Sequence, residues 1–106
     1  MISRERMEKA LTFLAETDSK CGYHKTHVEK MKLKAKAIYG AQYLLTEGTV
    51  DERKSMAENS KAHQDALESY FEAMNAYEAL KNKRDTEALV IDVWRTLEAS
   101  RRKNNI

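Results

Sequence analysis

The sequence predicts an all-α fold: an antiparallel hairpin of two long helices with a short helix at the corner, dimerising into a helical bundle. Three observations predict it. Proline is absent and glycine occurs only at Gly22, Gly40 and Gly48, so few residues can interrupt a helix. Charged residues make up 34% of the 106 residues, a balance suited to long solvated helices and not to a sandwich, barrel or doubly wound sheet. Apolar residues recur at three- and four-residue steps, the spacing of one helical face.

Ser3 is the expected N-cap of the first helix. From Met7, Leu11 and Leu14 through Cys21, Val28, Met31, Ala35 and Ile38 to Leu45, the stripe predicts a helix from about residue 4 to 46. Gly22 and Gly40, each costing roughly 1 kcal/mol relative to alanine in a helix interior, are the candidate places for a bend or a close helix contact, Gly22 before Gly40 for a break, and the sequence leaves open whether Gly22 divides the helix. The strongest punctuation is Glu47-Gly48-Thr49-Val50-Asp51-Glu52. Gly48 suits the left-handed position just past a helix, and Thr49 with Glu52 has the spacing of a capping box. A short helix from Val50 to about Glu58 follows, and Asn59 or Ser60 caps the next segment. From Ala62, a broad stripe including Leu67, Tyr70, Phe71, Met74, Tyr77, Leu80, Ile91, Trp94 and Leu97 runs without a breaker to about Arg102.

The chain is one domain, 1–106, on length alone. Ile, Leu, Val and Phe supply only 19 of its residues, so the core is thin and a second copy is the expected cover. Cys21 is the only cysteine, which rules out an internal disulfide. No apolar run approaches 18 residues and no secretion signal is evident, so a soluble, intracellular protein without a membrane partner is expected.

No enzyme, cofactor or metal is expected. Cys21, His24 and His27 form C-x2-H-x2-H, but three-residue steps on a helix fan ligands around its surface instead of converging them on one ion. Cys21 is expected in the core, and His24 and His27 on a polar face. Asp65, Glu68 and Glu72 share one helix side without the E-x-x-H partner of the di-metal carboxylate bundles, and read as solvated or interhelical acids. Three scattered glycines make no phosphate loop.

Charge is more informative in its distribution than in its total of +2. Residues 20–36 hold six lysines against Glu29 alone, whereas residues 62–80 hold Asp65, Glu68, Glu72 and Glu78 and no cation. A hairpin turning near residues 48–59 sets 20–36 beside roughly 71–87, a segment short by only one positive charge, and the pair keeps a surplus of four. Such a surplus suits a phosphate backbone. Lys25, Lys32 and Lys36, with Arg101, Arg102 and Lys103 at the far end, are the candidate phosphate contacts. Neither cluster shows an interleaved aromatic platform for bases. Trp94 and Arg95 are candidates for packing or partner recognition, both types being enriched at binding hot spots.

Gly48-Thr49-Val50, Glu52-Arg53-Lys54, Tyr77-Glu78, Lys83-Arg84, Thr86-Glu87, Val93-Trp94-Arg95-Thr96 and Arg101-Arg102 together resemble small helical proteins encoded by temperate bacteriophages and prophages. The resemblance covers most of the chain and contains no catalytic motif. It implies an accessory role in DNA replication or recombination, in the cytoplasm of a bacterial host, with DNA or a host or phage DNA-processing protein as partner. An adaptor or inhibitor of a host enzyme, with no DNA affinity of its own, is the alternative. Asn104-Asn105 departs from the Gly-Asn ending of that pattern.

Overall fold

A computed structural model describes residues 1–104, and three helices account for nearly all of them: α1 (Arg4–Leu45), α2 (Val50–Glu58) and α3 (Lys61–Asn104). Asn105, part of the departing Asn-Asn ending, lies outside the described residues. Each start follows from local chemistry. The Ser3 hydroxyl accepts the Arg6 N–H at 3.0 Å, and the Ser3 carbonyl accepts that of Met7. Thr49, with extended backbone, accepts the Glu52 N–H on its hydroxyl at 3.2 Å, while Asp51 and Glu52 place negative charge at the positive end of α2. Ser60, rather than Asn59, caps α3: its hydroxyl accepts the His63 N–H at 3.2 Å and donates to the Ala57 carbonyl at 2.8 Å. Asn59 instead closes α2, where its backbone and side-chain N–H groups both reach the Ser55 carbonyl.

Gly22 does not divide the first helix. α1 continues through Gly22 and Gly40, and a Cβ placed at either would meet nothing within 4 Å, so neither glycine serves a close helix approach. Neighbouring turns hold the helix despite the local penalty. Gly48 does act as punctuation, two residues beyond Thr46, at φ +131°; a Cβ there would lie 2.5 Å from the Glu52 carboxylate.

Both long helices contribute to two compact units. The first comprises Met1–Gly22 with α3 from Glu78 onward. Its core is Met7, Ala10 and Ile91, with Ile2, Leu14, Val90 and Trp94 packed around them. Polar contacts lock the two segments. Arg84 donates from Nη1 to the Leu14 carbonyl at 2.8 Å and to the Thr17 hydroxyl at 2.6 Å, and from Nη2 to Asp18 at 3.4 Å. Arg6 grips Glu87 with Nη2 to Oε1 at 2.9 Å and Nη1 to Oε2 at 2.7 Å. The second contact is close but misaligned, so Oε2 receives charge without a well-formed hydrogen bond. The hydrogen bond from Arg6 lowers the Glu87 carboxyl below its usual range, and Glu87 raises Arg6 in return.

The second unit is Tyr23–Tyr77. Its buried residues are Ala35, Ala57, Ala66 and Ala73. α2 is held against the end of α1 by Arg53, which donates to the Tyr43 carbonyl at 3.3 Å and sits 4.2 Å above the Tyr43 ring. This placement changes the register expected from the hairpin. Because α2 occupies the space beside the last turn of α1, α3 starts opposite about residue 40, and Tyr39 meets His63. Within this unit, residues 23–36 therefore face roughly 65–77, earlier in α3 than the expected pairing, which set 20–36 beside 71–87.

Candidate nucleic-acid interface

Lys25, Lys32 and Lys36 stand seven and four residues apart, so they form one row along α1. All three are exposed, and none makes an ion pair among the described residues. Lys34 leaves that row and edges a different depression, with Ile38, Ala62 and Asp65. The six-lysine block of the sequence is thus divided around α1, and the three candidates for phosphate contact remain together.

Lys32 and Lys36 border a groove of about 330 Å³ whose walls are Ala35 and Tyr39 of α1 and His63, Leu67 and Tyr70 of α3. The Ser60 cap fixes the first turn of α3 and with it His63, whose ring packs edge-on against Tyr39 at 5.4 Å between centroids. The Nδ1 of His63 lies 3.2 Å from the Glu58 carbonyl, a contact that places a proton on that nitrogen. One turn beyond His63, Leu67 also lines a separate depression shared with Glu68, Phe71 and Glu72, all of α3. Phe71 is 54% exposed, and its ring centroid is 5.5 Å from that of Tyr70. Of the α3 aromatics, Tyr70 therefore borders the groove with Lys32 and Lys36 of α1, whereas Phe71 lies on a face formed by α3 residues alone. Tyr70 and the two lysines are far apart in sequence and meet only through the register.

The acids of the facing segment offset most of the lysine charge within the second unit. Residues 23–36 carry five lysines against Glu29, and the facing 65–77 carries Asp65, Glu68 and Glu72 with no cation, which leaves a surplus of one. Selectivity for anions then depends on which side presents which sign, because screening at physiological salt limits exposed charges to about 8 Å. Glu68, Glu72 and Asp65 are exposed, and Asp65 has only a 3.9 Å contact with Lys61.

Arg101, Arg102 and Lys103 are exposed in the last turn of α3, where cations suit the helix dipole. Arg101 is shared with Glu98 at 3.7 Å. Trp94 is partly buried against the Met7, Ala10 and Ile91 core, whereas Arg95 is exposed; as helix neighbours they project about 100° apart. They do not make one anchor.

His24 and His27 are half-buried rather than on a freely solvated polar face. Tyr23 meets His24 edge-on at 5.8 Å and stacks on His27 at 6.0 Å. Cys21 is a half-buried free thiol. Among the described residues, no three His, Cys, Asp or Glu side chains converge closely enough to hold a metal ion, and no helix is long and apolar enough to cross a membrane. The residues that sequence reasoning missed are His63 and Leu67; the single signal for His63 was its position three residues after a capping serine. Comparison with family models, with curated proteins and with solved structures finds no match to this chain.

Proposed function

We propose that this protein is a non-enzymatic accessory factor of DNA replication or recombination, as in the phage proteins it resembles, that binds DNA through the helical face carrying Lys25, Lys32 and Lys36. The observation that supports this reading is that three exposed lysines form one row and none is committed to an ion pair. Arg101, Arg102 and Lys103 form the second phosphate-contacting cluster. Each phosphate neutralised releases counterions, so three contacts give a log–log salt slope of about −2 to −3 and six give about −4 to −5. Anisotropy of labelled DNA across a salt series measures that slope. The variant K25E/K32E/K36E is expected to bind at least tenfold more weakly at low salt while keeping its helical circular dichroism; unchanged affinity would remove the lysine row from the site.

The second reading, an adaptor or inhibitor acting on a host enzyme without DNA affinity, is favoured by a different observation. Leu89, Val93 and Leu97 lie one turn apart on α3 and are 61%, 39% and 39% exposed. A contiguous apolar stripe of this kind marks a protein contact. In the leading reading the stripe pairs with a second copy, giving the homodimeric bundle; in the second it is left for the enzyme.

A further inference from the structure

We propose that the groove between α1 and α3 binds a small aromatic anion, with its ring body against Ala35, Leu67 and Tyr70 and its anionic group held by Lys32 and Lys36. The groove lies wholly within Tyr23–Tyr77, and its volume of about 330 Å³ is at the small end of ligand clefts, a size that suits a compact ring body. Its walls are mostly apolar. Ala35 is the most deeply buried of them, Leu67 is half-buried, and Tyr39, His63 and Tyr70 supply three rings, two of which brace each other edge-on. A planar body finds offset or edge contacts with such rings.

The charge of the ligand follows from the two lysines. Lys32 and Lys36 stand one turn apart on one side of α1, where Cβ atoms are about 5–6 Å apart and like charges repel. Both ammonium groups therefore reach a single anionic group. Nothing in the chain neutralises them: no acid lines the groove, and neither lysine makes an ion pair among the described residues, even though Glu29 is one turn before Lys32. An anion seated there relieves the repulsion and accepts charge-assisted hydrogen bonds, whereas an uncharged ring gains apolar contact alone and a cation is repelled. A seated anion also occupies two of the lysines proposed to contact DNA phosphates, so ligand and DNA compete; this competition alone rests on the DNA-binding role.

The test titrates naphthalenesulfonate, and the uncharged naphthalenesulfonamide of the same shape, into the full chain without DNA, followed by amide NMR. Naphthalenesulfonate is expected to shift the signals of Ala35, Tyr39, His63 and Leu67 saturably and to bind at least about tenfold more tightly than the sulfonamide. K32E/K36E is expected to weaken the sulfonate about tenfold and to leave the sulfonamide unchanged. Both lysines are exposed, so their reversal leaves the helices intact, which circular dichroism checks. Equal binding of the two probes, sulfonate binding that survives K32E/K36E, or signals that shift only along Leu89, Val93 and Leu97 overturns the site. With labelled DNA present, the sulfonate and not the sulfonamide is expected to displace it, and DNA that stays bound at saturating sulfonate overturns the competition. A chain that binds the sulfonate as expected but no DNA keeps the groove site and removes the DNA-binding role; one that binds DNA but neither probe removes the groove site alone.

Discussion

Arg6 and Glu87 form a contact that shifts the proton affinity of both partners, lowering the Glu87 carboxyl and raising Arg6. Their pairing was not legible in the sequence, since 81 residues separate them and nothing in the spacing of either marks the other. Because the Glu87 carboxyl is lowered by its hydrogen bond from Arg6, the folded state binds this proton less readily than the unfolded chain. Its contribution is therefore present above the ordinary carboxylate range and is lost as pH falls through the lowered folded value. Urea denaturation at pH 7 and pH 3 should show a larger loss for the parent than for E87Q, in which this linkage is gone; an equal loss would mean that the pair gives no pH-dependent stability. Arg84 illustrates the same point about legibility. That it would satisfy the Leu14 carbonyl and the Thr17 hydroxyl required the facing helix.

At the scale of the helices, most of what was readable came from hydrogen-bonding residues at the ends. Ser3, Thr49 and Ser60 each carry a hydroxyl one residue before a helix, and each accepts a backbone N–H three residues on. These are local interactions, and local sequence suffices for them. Glycine was read less well because its effect depends on what surrounds it. Gly22 sits in a continuous helix with open space at its missing Cβ, whereas Gly48 has φ +131° and Glu52 against it. The two should respond in opposite directions. G22A is expected to raise stability by about 0.5–1 kcal/mol, and G48A to lower it by at least about 1 kcal/mol. Chemical denaturation of both variants checks the pair, and a destabilised G22A would show that α1 needs a flexible point there.

At the scale of the whole molecule, the buried residues are mostly alanine: Ala10, Ala35, Ala57, Ala66 and Ala73 accompany Met7 and Ile91, and among the described residues no large side chain is fully buried. Burial of this kind yields little, at roughly 25 cal/mol per Å² of apolar surface. Leu89, Val93 and Leu97 stay exposed on α3, and the proposed second copy would cover them. V93E, placed mid-stripe, is expected to convert a dimer to a monomer by light scattering while leaving the helices intact; a parent that is already monomeric would transfer the stripe to a foreign protein. Alone, the sequence determined that the chain is helical, where each helix starts and stops, and which lysines share a face of α1. Those properties depend on hydrogen bonds and periodicity within a few residues. Only the tertiary structure decided that α2 takes up the last turn of α1, and hence that His63, Leu67 and Tyr70, not residues further along α3, lie beside Lys32 and Lys36. Helix pairing can slide by turns with little change in apolar pattern when the interface is alanine, so the register rests on particular contacts such as Arg53 on Tyr43 and His63 on Tyr39.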